Sequence, residues 1–140
     1  MPETALAEMI NERQPENSQI VNRISDYLRE AKPSTMVVSG GEMMRLYGKV
    51  KGSETARKRG MSYMDIFNSS LGIDTTSNVL LHHKCKLVVG VETIPAWLRD
   101  FGDRFAVDLG GTMGQLGIGT TATTFEHHGT KVAPAICYEG

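Results

Sequence analysis

The chain has 140 residues, 40% of them hydrophobic and 22% charged, with a formal net charge of −1. That is enough apolar material for one ordinary globular domain, and charges of both signs interspersed along the chain leave no electrostatic footprint for nucleic acid. The one basic cluster, Arg57-Lys58-Arg59, is short and reads as a solvated loop face. No apolar stretch approaches the roughly 20 residues a helix needs to cross a bilayer, and the first residues lack the basic and apolar regions of a signal peptide.

Taken in chain order, residues 4–13 and 18–31 show helical spacing, the second with Ile20, Val21, Ile24, Tyr27 and Leu28 on one stripe and Pro33 closing it. Residues 36–41 predict a short buried strand ending in Gly40 and Gly41, followed by a polar loop over 48–60. A strand with a turn-like Asn68 is predicted over 63–73, and its neighbour over 79–89, joined by the turn 74–78. Residues 94–104 make a short amphipathic segment around Trp97, Leu98 and Phe101. The glycine-dense stretch 110–119 lacks the Gly-Lys-Ser or Gly-Lys-Thr ending of a phosphate loop and opens no helix, so it reads as a hairpin or lid loop. Residues 120–125 and 131–136 then predict a hairpin across His127-His128-Gly129. No repeat or low-complexity segment is visible.

Cys85 and Cys137 allow at most one disulfide, and nothing has the closely spaced four-ligand pattern of a zinc site. In the pairs His82-His83 and His127-His128, neighbours on a strand point to opposite faces, so each pair offers one ligand; with no third ligand type clustered nearby, no metal is expected. Cys85 reads as a small hydrophobe, and Glu42, Met43 and Met44 as loop and core residues. Cys137 is different. It follows the apolar run 131–136 and precedes Tyr138 and Glu139, and a strand that delivers one cysteine into a tight turn is how α/β hydrolytic folds expose a nucleophile.

The tetrapeptide Ile136-Cys137-Tyr138-Glu139 resembles the nucleophile motif of the nitrilase (carbon-nitrogen hydrolase) superfamily, in the wording of its apolipoprotein N-acyltransferases. Two further motifs stand upstream in the right order. Pro2-Glu3-Thr4 resembles the family's Trp-Pro-Glu-Thr segment with Met1 in place of the tryptophan, and the stretch from His82 through Lys84 to Glu92 resembles its aromatic-x-Lys segment running into a second glutamate. His82 or His83 stands near the usual tyrosine, and Val89 where proline is common. Residues 68–74 and 108–112 look similar too, so the resemblance covers essentially the whole chain. It implies an α/β fold, the four-layer α-β-β-α sandwich of the superfamily, with residues 1–140 as a central part of that domain. On this expectation the chain begins after a bundle of transmembrane helices and ends before the strands that follow the nucleophile, and is inactive and marginally folded by itself.

The same resemblance implies a catalytic triad of Glu3, Lys84 and Cys137. Glu3 takes the thiol proton, Cys137 attacks as thiolate, and the Lys84 ammonium stabilises the oxyanion. Glu92 orients the lysine or assists proton transfer, and Tyr138 and Glu139 shape the pocket around the nucleophile. No cofactor is implied. The acyl donor is a phospholipid and the acceptor the N-terminal amino group of a bacterial apolipoprotein, which places the domain on the periplasmic face of the inner membrane, held through transmembrane segments outside this chain. A soluble nitrilase-like amidase acting on a small molecule is the alternative on the same fold. A non-catalytic binding module is opposed by the complete set of glutamate, lysine and cysteine.

Overall fold

The computed structural model describes residues 5–88 and 116–139. Its spine is the long strand Ser62–Ile73, numbered β4 in chain order. Along one edge β4 pairs antiparallel with β2, Val37–Gly48, and β2 pairs in parallel with β1, Leu6–Asn11. Along the other edge it pairs with β3, Arg57–Arg59, at its beginning and with β5, Val79–His83, at its end. Residues 116–119 close the gap between those two: Gly117 N–H donates to the Ile66 carbonyl and Gly119 N–H to the Lys84 carbonyl, both at 2.8 Å. A β-carbon at either glycine would overlap the Phe67 ring or the His83 carbonyl, so only glycine permits this approach.

Parallel strands need a crossover, and the helix α1, Gln19–Ala31, supplies it between β1 and β2. Its start is doubly capped. Ser18 Oγ accepts from Val21 N–H at 3.2 Å, while the Glu8 carboxylate reaches from β1 to accept from both Ser18 Oγ and Ile20 N–H at 3.0 Å. Val21, Ser25 and Leu28 are buried. Val21 packs with Leu6, Ile10, Met43, Phe67, Leu71 and Ile73 in the core, which sits between the helix and one face of the sheet. Tyr27, expected on the buried stripe, is 63% exposed. Ser25 takes the inner position because its hydroxyl donates to the Asp74 carbonyl at 2.7 Å.

Several expectations are corrected. The helix predicted over 4–13 is the strand β1, because Leu6 and Ile10, four residues apart, share a face in a strand as well as in a helix, and pairing with β2 decides between them. β2 does not end at Gly40 and Gly41 but runs on to Gly48, with Gly41 leaving room for Leu71 and Leu6. Asn68 is no turn. It pairs with Glu42 on one side, and its carbonyl accepts from Lys84 N–H on the other. The strand predicted over 79–89 ends at His83.

The opposite face of the sheet carries a short hairpin, β6, Phe125–His127, and β7, Thr130–Val132. Its arms are shorter than predicted, and its turn is His128-Gly129 alone, with φ of 47° and 77°, the left-handed pair a two-residue hairpin requires. His128 therefore sits in the turn and His127 in the strand, with their rings in edge contact at 4.3 Å, rather than alternating along one strand. Phe125, 1% exposed, fills the space above Gly72. The fold is mixed α/β. The predicted segment 94–104 and most of 110–119 lie outside the described residues. Among the described residues, no helix is long and apolar enough to cross a membrane.

Candidate functional site

Lys84 continues β5 by one residue, with its N–H on the Asn68 carbonyl at 2.8 Å. Alternation along the strand puts it on the face of His82, toward the hairpin side, and it is 0% exposed. Lysine is almost never so fully buried unless paired, and Lys84 does have interaction partners.

Cys137 opens a tight 3-10 turn, Cys137–Glu139, after the chain leaves β7. Its thiol-bearing residue is exposed, and its backbone has φ of 46°, a left-handed conformation that costs a residue with a β-carbon about 1–2 kcal/mol. Such strain persists only where neighbours impose it. Here the imposing group is Glu139. Its carboxylate accepts from the N–H of Ile136 at 3.0 Å, from the N–H of Cys85 at 2.5 Å and from His82 Nε2 at 3.1 Å. Ile136 immediately precedes Cys137 and Cys85 immediately follows Lys84. One carboxylate thus ties the cysteine turn to the lysine segment.

Burial alone would raise the Glu139 carboxyl pKa, but the N–H groups of Cys85 and Ile136 and the His82 ring outweigh it, and the carboxyl is held below its ordinary 4.5. Its stabilising contribution is therefore fully present above that value and is lost as the pH falls below it. Glu139→Gln removes an acceptor without removing the side chain. In urea titrations the variant is expected to be clearly less stable than the parent near neutrality, and the gap to narrow below about pH 4.5; a gap constant with pH would show that the carboxylate charge is not what holds the turn.

His82 itself is buried, and both ring nitrogens are engaged. Nδ1 accepts from Thr123 N–H at 3.4 Å, which leaves the proton on Nε2, where it is donated to Glu139. The fold brings Cys85 to the same place, so that donor atoms of His82, Cys85 and Glu139 lie within 4.8 Å of one another. That corrects the expectation of no third ligand type near the histidines: Glu139 is distant in sequence but adjacent in space. The three are bonded as a hydrogen-bond network, with the Cys85 thiol directed to the His83 carbonyl at 3.4 Å. A metal at Nε2 would need the opposite tautomer and would displace the bond to Glu139. Burial and the nearby Glu139 charge push the Cys85 thiol up, away from thiolate.

His83 points to the other face, as alternation requires. Its Nδ1 bonds Ser69 Oγ at 2.7 Å, and Arg45, which can only donate, approaches Nε2 at 3.3 Å while holding Glu12 through two bonds of 2.6 and 2.8 Å. Its ring stacks on Phe67 at 4.2 Å. Burial lowers the His83 pKa and outweighs the Glu12 carboxylate, so a neutral imidazole is favoured. This network pins the residue before Lys84 from behind.

Of the residues singled out in the sequence, Glu139 links the turn that Cys137 opens to Cys85, the residue after Lys84, and Tyr138 is the middle residue of that turn. Glu3 and Glu92 lie outside the described residues. Sequence reasoning missed His82 and Cys85 as partners of Glu139; their places immediately around Lys84 were the available signal. No protein-family model, no curated protein and no solved structure matches the chain.

Proposed function

We propose that the chain carries the cysteine acyl-transfer chemistry of a nitrilase-superfamily N-acyltransferase. The observation that carries this reading is the exposed Cys137 in a left-handed turn, tied through Glu139 to the segment holding the fully buried Lys84. An exposed cysteine in a strained turn, tied to the segment that carries a buried lysine, supplies the nucleophile and the cation that thioester chemistry needs. A helix on one face of the sheet and a hairpin over the other support an α-β-β order within the superfamily's α-β-β-α sandwich.

In the proposed reaction Glu3 takes the Cys137 proton and the thiolate attacks an ester carbonyl of a phospholipid. The oxyanion is stabilised by Lys84, with Glu92 orienting the ammonium. The ester C–O bond then breaks, the lysophospholipid alcohol leaves with the proton from Glu3, and a thioester remains on Cys137. The terminal amine of an apolipoprotein then attacks the thioester; its C–S bond breaks, the amine proton passes through Glu3 to the departing Cys137 sulfur, and the acyl chain leaves as an amide with the thiol regenerated. Donor and acceptor place this work at the periplasmic face of the bacterial inner membrane.

The test is covalent labelling. Full-length protein incubated with a phospholipid bearing a fluorescent acyl chain is expected to acquire a hydroxylamine-sensitive label. Cys137→Ala abolishes it, and Cys85→Ala, which removes a thiol pushed away from thiolate, leaves it largely intact. Label that persists on Cys137→Ala overturns the assignment of the nucleophile.

A further inference from the structure

Strand β4 begins at an end of the sheet where cations and bare apolar side chains stand together. β2 finishes there, with Gly48 opposite Tyr63, and β3 lies on the other side of β4, with Lys58 opposite the same Tyr63. Two projections therefore stand about two strand spacings, roughly 10 Å, apart. One is Lys49-Val50-Lys51, where Val50 is 74% exposed. The other is Arg57-Lys58-Arg59-Gly60-Met61, where Met61, 79% exposed, caps the hairpin turn into β4. Each places a bare apolar side chain among cations.

The segment from Lys49 to Met61 holds five of the chain's fifteen Lys and Arg residues and one of its sixteen acids, Glu54. Arg57, Lys58 and Arg59, with Met64 and Ile66, line a hollow of about 270 Å³. The connecting loop is rooted rather than loose. Asp65, 1% exposed, accepts from Tyr47 Oη at 2.7 Å, Ser53 Oγ at 2.6 Å and Thr55 Oγ1 at 2.8 Å, which holds the loop against the sheet.

We propose that this end of the sheet is a docking surface for an anionic phospholipid bilayer. Cations attract the headgroups, and Val50 and Met61 enter the interface between them, the pattern by which a protein lies on a membrane without spanning it. Charge complementarity alone would also suit a nucleic acid. The apolar tips decide against that, because phosphate backbones offer them nothing while acyl chains do. The three cations of β3 also protect an edge strand from pairing with another chain, but edge protection gives no reason to leave Val50 and Met61 bare. This surface lies apart from Cys137 and does not rest on the acyl-transfer reading, so absence of labelling at Cys137 would leave it standing.

The experiment is co-sedimentation of the 140-residue chain with vesicles of phosphatidylcholine alone or with about 30 mol % phosphatidylglycerol, in about 0.1 M salt, where charges are screened over ~10 Å. Binding is expected to be at least about tenfold stronger to the anionic vesicles, since each cation near such a surface contributes roughly fivefold. Lys58→Glu with Arg59→Glu should cut it about tenfold or more, and Val50→Ser with Met61→Ser by about tenfold at unchanged charge. Arg23→Glu, on the exposed side of α1, should change it less than about twofold. All four positions changed in the two double variants are exposed, and equal melting temperatures confirm that the fold is intact. Equal binding to neutral and anionic vesicles, or Val50→Ser/Met61→Ser binding like the parent, overturns the proposal. Binding to a DNA duplex that matches the anionic vesicles and ignores Val50 and Met61 would reassign the face to a polyanion.

Discussion

Replacing Lys84 by methionine is expected to slow acylation of Cys137 by about 100-fold or more, the cost of losing one preorganised oxyanion donor. Methionine is the informative substitution because it keeps much of the volume of a side chain that is 0% exposed while removing its charge. Single-turnover acylation with a fluorescent phospholipid reads the chemical step alone. Glu3→Gln should block the step altogether, since no thiolate would form. A Lys84→Met protein that acylates at the parent rate would remove Lys84 from the reaction. A variant slow in acylation but normal in binding lipid would separate oxyanion stabilisation from substrate recognition.

Asp65→Ala is expected to be strongly destabilising, because it removes a buried acceptor in β4 that anchors the loop beside it. The change removes the acceptor shared by three hydroxyls, those of Tyr47, Ser53 and Thr55, of which Ser53 and Thr55 keep only their contact with each other at 3.1 Å and the Ala56 N–H on Ser53. A hydrogen bond to a charged group contributes about 1.5–3 kcal/mol, so losing three is expected to cost about 3 kcal/mol or more, with a fall in melting temperature on the order of 10 °C. Tyr47→Phe removes only one donor and leaves the acceptor served by two others, so it should cost about 1 kcal/mol. Chemical denaturation of both variants measures the ratio. Equal losses would mean that the network does not act through Asp65.

Sequence patterning made some of this legible, and for physical reasons. The stripe of α1 carries a period of 3.6 over enough residues to be recognised, whereas β4, buried on both faces, shows as a strand through the turn residues 74–78 that close it. The opposite orientations of His82 and His83 follow from alternation alone and hold: one bonds Glu139, the other Ser69. β1 was illegible because its buried residues, Leu6 and Ile10, are spaced for either element, and its composition favours a helix; a parallel partner more than 30 positions along the chain overrode both. Around the site, Cys137 could be singled out from its local setting. The strap through Glu139 could not, since two of its three donors come from residues 54 and 57 positions away. Only the fold shows that Cys85, read as a small hydrophobe, lends its backbone N–H to the turn of the other cysteine.

That strap has a consequence for how the protein is made. Bonds closing loops of this length form late, because a chain must already be largely collapsed before such distant segments meet. The hairpin of β4 and β5, joined by five residues, can form early, whereas the turn at Cys137 is drawn into its left-handed shape only when Glu139 reaches a finished β5. A nascent or unfolded chain therefore carries Cys137 as an ordinary, relaxed cysteine. The left-handed turn comes into existence with the completed sheet, so that in a half-made molecule the Cys137 and Cys85 segments are two unconnected stretches of chain.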